Sequence, residues 1–247
     1  MKKEPHPAAA TALAAQWQIN QADPAAVLRR ALELYHPAVA LASSFSLEDI
    51  VLIDLLMAIR PDARGFALDT GRLNPETYEC AEAVRRRYGL RIEWYFPKHE
   101  AVEPLEREKG LFSFRESVAA RQECCFIRKV EPLRRALQGL QAWITGLRRE
   151  QAVTRSALQV IETDAAHGGI IKINPLADWT LEQVWQYVRE HKLPYNRLYD
   201  QGYVSIGCAP CTRAVAPGED QRAGRWWWEN PEHKECGLHT HARPSKV

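Results

Sequence analysis

The 247-residue sequence has no stretch of about 18 consecutive apolar residues, the length a helix needs to cross a bilayer, so no membrane partner is expected. It has little charge of one sign to spare. Its 33 basic and 31 acidic residues leave a net +2. That is too little to coat a polyanion by bulk charge, and a nucleic-acid partner is not expected. It lacks internal repeats and low-complexity tracts. The opening MKKEPHPAAATALAAQW lacks the unbroken apolar core of a secretory leader, because Glu4, Pro5, His6 and Pro7 interrupt it. A reducing cytoplasmic location is the expectation, and structural disulfides are rare there. What is present is a 46% hydrophobic, 26% charged composition, ordinary for a globular protein. There are eight tryptophans, and six cysteines at positions 80, 124, 125, 208, 211 and 236. Four of these cysteines fall in two tight pairs, which points to metal binding or thiol chemistry rather than to inert burial.

Along the chain, strand and helix patterns alternate. Residues 1–36 read as an N-terminal helical segment, with Asp23-Pro24 a helix start. Strands are expected over Ala38–Ala42, Gly65–Leu68, Arg91–Phe96 and Ala142–Thr145. Helices are expected over Leu47–Arg60, Pro75–Tyr88, around Cys124–Leu140 and over Trp179–His191, the last capped by Asp178 or Thr180. Ala157–Glu162 and Ile170–Ile173 read as a strand pair across Gly168-Gly169. This alternation implies an α/β fold with a mostly parallel central sheet covered on both faces. Residues 200–247 read as irregular, ending in a mobile tail.

Three loops follow strands and so share the carboxyl edge where open α/β sheets bind ligands. Ser43-Ser44-Phe45-Ser46 leads into a helix with Glu48 and Asp49 in its first turn. It can offer N–H groups and hydroxyls to an anion, or simply cap the helix. It has no Walker A glycines or lysine, which argues against a P-loop nucleotidase. Asp69-Thr70-Gly71-Arg72 is the second loop. Gly146-Leu147-Arg148-Arg149, with Arg155 beyond, is the third. Its arginines suit phosphate or sulfate, or form a solvated charge run.

Cys124-Cys125 and Cys208-x2-Cys211 supply four thiols. Zinc, an iron–sulfur cluster and a thioredoxin-type redox pair are all open, and adjacent ligands favour the wider-cornered cluster. Arg128, Lys129 and Arg213 would offset its negative charge. Cys236 stands outside that set, in Glu235-Cys236-Gly237-Leu238-His239. His233, Lys234 and His239 could lower its pKa, unless it is a spare surface thiol. Cys80, inside a helix pattern, reads as buried and inert. In Arg222-Ala223-Gly224-Arg225-Trp226-Trp227-Trp228 the tryptophans cannot all face one core. Packing of the tail competes there with a nucleic-acid platform, which the net charge disfavours.

Together, SFSLED, LDTGRLNPETY, Cys-Cys followed by Arg-Lys, ITGLRREQ, Cys-x2-Cys, RAGRWWWE and ECGLH resemble the iron–sulfur branch of the adenylyl-sulfate (APS) and phosphoadenylyl-sulfate (PAPS) reductase family. The likeness runs over about residues 38–240. It implies a Rossmann-like adenine nucleotide α-hydrolase (PP-loop-like) fold. Residues 37–200 would form a nucleotide-binding α/β domain with half of the cluster site, and 201–247 the cluster loop and catalytic tail of the same domain. It further implies that Cys124, Cys125, Cys208 and Cys211 hold one 4Fe-4S cluster per chain. Cys236 would be the nucleophile, with His239 beside it. Lys129, Arg155, Arg222 and Arg225 would hold the phosphosulfate, and Ser43, Ser44, Phe45, Ser46, Asp69, Thr70, Gly71, Arg72 and Gly146 the nucleotide. Asn74 departs from the family's histidine, and the stretch after Gln151 is shortened.

The implied activity is that of an oxidoreductase. It reduces adenosine 5'-phosphosulfate to sulfite and AMP through a Cys-S-sulfonate, with reduced thioredoxin as electron donor and a homo-oligomeric assembly. The pathways implied are sulfate assimilation and cysteine biosynthesis. The alternatives are PAPS or dual APS/PAPS reduction, an ATP-using PP-loop sulfurtransferase, and a non-enzymatic iron–sulfur module. The sulfurtransferase would need an SGGxDS-like loop in place of Ser43–Ser46.

Overall fold

The computed structural model describes residues 17–152 and 155–230. The chain divides into two compact units. Among the described residues, one unit comprises 17–67, 76–93 and 139–197, and the other 68–75, 94–138 and 198–230.

The first unit is built on a six-stranded sheet. In chain order the strands are β1 (Val39–Ser43), β2 (Arg64–Leu68), β3 (Ile92–Tyr95), β4 (Ala142–Ile144), β5 (Ile161–Asp164) and β6 (Ile170–Ile173). Their spatial order is β3-β2-β1-β4-β6-β5. Strand β1 runs parallel to β2 and β4, and β4 parallel to β6. Strand β5 returns antiparallel on β6. The central strands Val-Ala-Leu-Ala-Ser and Ala-Trp-Ile are almost wholly buried, as strands covered on both faces must be. The α/β reading with a mostly parallel sheet therefore holds. Strand β5 begins at Ile161 rather than Ala157, because Leu158 and Val160 engage in irregular contacts, Leu158 O accepting from Arg149 Nε and Val160 O from Asn174 N.

Helix α1 (Pro24–Tyr35) starts where Asp23 accepts the Ala25 N–H at 2.9 Å, with proline at its first position. It buries Val27, Leu28, Ala31 and Leu32 on one stripe. Helix α2 (Leu47–Ile59) is buried along most of its length. Helix α3 spans Pro75–Tyr88, as expected.

In the second unit, α4 (His99–Lys109) is a helix the periodicity did not announce. It buries only Leu105 and carries Pro104 inside it. Helices α5 (Val118–Cys125) and α6 (Glu131–Ala136) are joined by a π-helical turn, Phe126–Val130, into one continuous helical stretch. Helix α7 (Leu181–Glu190) belongs to the first unit. Its cap is Thr180, whose hydroxyl accepts the Gln183 N–H at 3.1 Å. Residues 201–230 are irregular, as expected, but packed rather than loose. Trp226 is 1% exposed, and an antiparallel bridge joins Thr212 to Arg225. Among the described residues no helix is long and apolar enough to cross a membrane.

Candidate active site

Strand order in the first unit reverses between β1 and β4, since the chain goes from β1 to β2 on one side and later enters β4 on the other. Such a switch point opens a crevice at the carboxyl ends of the strands. The loops leaving it are Ser43–Ser46 and the stretch from Thr145 to Gln151. The first is tied to its own helix. The Asp49 carboxylate accepts the Ser44 N–H at 2.6 Å, the Ser44 hydroxyl at 2.8 Å and the Ser46 N–H at 3.3 Å. Burial pushes the Asp49 carboxyl up to about 6, with the Ser44 hydrogen bonds pulling the other way. Ser43 Oγ accepts the Phe45 N–H at 3.1 Å, and Phe45 is buried in a left-handed conformation (φ 58°). A bulky residue held there marks a strained, over-determined loop.

The stretch from Thr145 to Gln151 passes close to the start of the helix that follows Ser43–Ser46. A Cβ on Gly146 would lie 2.6 Å from Asp49 Oδ1 and 2.9 Å from Glu48 Cβ, so only glycine fits. Two of the arginines here are engaged with carboxylates. Arg148 donates through Nε to Glu48 at 2.8 Å and through Nη1 to Glu150 at 2.7 Å. Arg149 pairs with Asp178. Arg155 Nη1 donates to Gln151 Oε1 at 2.5 Å. The first unit thus brings together Ser43–Ser46, Gly146 and Arg155 through Gln151. Glu48 and Asp49 are structural partners that a search for phosphate-binding bases passes over.

In the second unit, Cys124, Cys125, Cys208 and Cys211 line one small cavity with Arg72, Arg121, Arg128, Lys129, Phe114 and Trp226. Cys124 and Cys125 end α5 where the π turn begins, Cys208 precedes the short turn Ala209–Cys211 and Cys211 closes it. The loop after β2 is laced to that turn. Ala209 N donates to Arg72 O at 2.8 Å, Asn74 Nδ2 to Gly207 O at 3.3 Å, and Thr70 Oγ1 lies 3.3 Å from Cys208 Sγ. Asp69 Oδ1 accepts the N–H of Gly71, whose φ of 70° glycine alone takes at ease. Arg225 is buried against Gly207 and rests on the Trp226 ring at 4.6 Å. Arg121 lies 4.7 Å from the same ring and pairs with Glu229 at 2.7 Å. Arg222 turns back locally, its carbonyl accepting the Arg225 N–H. Burial raises the Cys124 thiol, opposed by the Arg72 and Arg128 guanidiniums. Burial, with the charge of Cys208, pushes Cys211 up to about 12. Bound metal would displace these protons. Among the described residues no group of three or more His, Cys, Asp or Glu side chains could hold a single metal ion. Cys236 and His239 lie outside the described residues.

The donor set suits a larger, negatively charged centre. Four thiols face the cavity, and three of its lining side chains carry buried donors without a partner: Arg72 Nη1, Arg128 Nε and Trp226 Nε1. Sequence reasoning missed Glu106 on α4, whose carboxylate joins Arg72 to Arg128, and the Arg121–Glu229 pair. Glu106 carries no motif, Glu229 ends RAGRWWWE without its partner being readable there, and both pairings are long-range.

Residues 38–214 match the model of the phosphoadenosine phosphosulfate reductase domain. The chain belongs to the phosphoadenosine phosphosulfate reductase family. An adenosine 5'-phosphosulfate reductase of Allochromatium vinosum is 56% identical over 202 residues, 82% of this chain and 78% of that protein. One from Burkholderia cepacia is 52% identical over 204 residues, 83% of this chain and 81% of that protein. The crystal structure of a phosphoadenylyl-sulfate reductase from Candida auris, a phosphate complex, superposes with TM-score 0.69. It is 31% identical and covers 87% of this chain and 98% of that one. The family resemblance read from the motifs is therefore borne out, as is the fold.

Proposed function

We propose that the protein is an oxidoreductase that reduces adenosine 5'-phosphosulfate to sulfite and AMP in sulfate assimilation. The observation that carries this is the four-cysteine cavity on which Arg72 and Arg128 each keep one buried donor without a partner, in a chain 56% identical to an adenosine 5'-phosphosulfate reductase. Cys124, Cys125, Cys208 and Cys211 would hold a 4Fe-4S cluster. When bound, the cluster supplies a fixed charged centre that organises the surrounding backbone and tunes the local field.

The reaction needs only the chain's own groups and a dithiol donor. The Cys236 thiolate attacks the sulfur of APS, an S–S bond forms, the S–O bond breaks, and AMP leaves with the electron pair. Lys129, Arg155, Arg222 and Arg225 neutralise the phosphosulfate as that bond breaks, and His239 stands beside the nucleophile. Ser43, Ser44, Phe45, Ser46, Asp69, Thr70, Gly71 and Gly146 hold the nucleotide, while the Arg72 guanidinium serves the cysteine cavity that it lines. A thiolate of reduced thioredoxin then attacks Cys236 Sγ and sulfite departs. The donor's second thiol resolves the mixed disulfide, so the donor gives up two electrons. The enzyme works in the cytoplasm as a homo-oligomer.

Sulfite release assayed with APS and PAPS in parallel, with reduced thioredoxin, tests the reading and separates it from PAPS reduction. The Cys236→Ser protein should lose sulfonate transfer while keeping its cluster absorbance and its binding of APS. Turnover by that protein refutes the scheme.

A further inference from the structure

Two guanidiniums on the cysteine cavity share one carboxylate. Arg72 Nη2 and Arg128 Nη2 each donate to Glu106 Oε1 at 2.5 Å. Arg128 Nη1 donates to Thr70 O at 2.7 Å and Arg72 Nη2 to Leu111 O at 2.7 Å. These bonds fix both planes and leave Arg72 Nη1 and Arg128 Nε buried and unpartnered. All three side chains are largely buried, with Glu106 17% exposed, Arg72 15% and Arg128 8%. Without Glu106, two buried like charges would face each other uncompensated.

We propose that Glu106 is the positioning residue of the cysteine site, holding Arg72 and Arg128 so that their remaining donors serve the anionic centre carried by the four cysteines. It acts through the arginines and touches no reacting atom. Its carboxylate also limits the positive charge at the cavity to one net unit from the pair.

This rests on the cluster assignment above, so the first measurement is iron and sulfide content of the wild-type protein. Absence of iron there removes the assignment itself. With iron present, resonance Raman spectra of Glu106→Gln should show shifted Fe–Sγ stretching bands, because re-aimed guanidiniums change the polarisation of the thiolates. Glu106→Asp should return the bands toward wild type. Bands in Glu106→Gln that coincide with wild type overturn the proposal. Should Glu106→Gln lose its iron, Glu106→Asp decides, because it keeps the carboxylate to which both guanidiniums donate. Iron retained in Glu106→Asp with Fe–Sγ bands close to wild type supports the positioning role, and iron lost from both variants overturns it.

Discussion

The Glu48–Arg148 pair offers a quantitative test of how the switch-point loops are held together. The side chains are 6% and 1% exposed, and Nε to Oε1 is 2.8 Å. Gln151 Nε2 also donates to Glu48 Oε1 at 3.0 Å, and Arg148 Nη1 to Trp179 O at 3.2 Å. Removing one member of a buried pair strands the other charge, at a cost of roughly 3–5 kcal/mol. Arg148→Met leaves the buried Glu48 with Gln151 alone and should fall at the upper end. Glu48→Leu leaves Arg148 its Glu150 partner at 2.7 Å, half-exposed, and should fall near the lower end. The double variant Glu48→Leu/Arg148→Met strands neither charge and should lie within about 1 kcal/mol of wild type, since apolar replacement of a buried pair is often neutral or better. The assay is equilibrium unfolding in urea. With a slope of about 3 kcal/mol per molar, a 3 kcal/mol loss moves the midpoint by about 1 M. Two single variants within about 0.5 kcal/mol of wild type would refute the reasoning. So would a double variant as unstable as their sum.

Gly146→Ala should cost about 1–3 kcal/mol by overpacking, because its methyl must displace Asp49 or the start of α2, and it should weaken AMP binding measured by calorimetry. Asp49 takes up its proton more readily folded than unfolded. Its contribution to stability is therefore fully present below about pH 4 and is lost as the pH rises to about 6, the folded value; Asp49→Asn should flatten that slope in denaturant titrations. Cys80 is buried, and burial followed by the charge of Asp49 pushes its thiol up to about 12. Iodoacetamide at pH 8 should leave it unmodified in the folded protein by mass spectrometry, and rapid labelling would contradict its placement.

The parallel sheet was readable because its central strands are short apolar runs bounded by proline, serine and glycine. Strand β1 lies one residue later than read, at Val39–Ser43, because Ser43 is buried and paired like its apolar neighbours. Cys124, Cys125, Cys208 and Cys211 were legible as a set from spacing alone. Helix α4 was not, since a helix with one buried residue and an internal proline has no apolar period to detect. Glu106 was hidden with it. Arg148 looked like a ligand for phosphate because its carboxylate partner stands a hundred residues earlier, at Glu48, and only the fold brings them together. Long-range pairing of charges leaves no local signature. Cysteine pairs and turn residues do.

The π turn at Phe126–Val130 has a consequence for insertions and deletions. An α-helix advances about 100° per residue, and a π turn holds one residue more than an α turn. The turn therefore sets the phase between the Cys124-Cys125 end of the stretch and the face of α6 that buries Leu133 and Ala136. Deleting Ile127 would restore an unbroken α ladder with both ends nearly in phase, whereas inserting a residue there would swing one end about 100° against the other. Either the cysteines or Leu133 would then leave their buried positions. The segment should accept the loss of one residue near Ile127 far more readily than the gain of one.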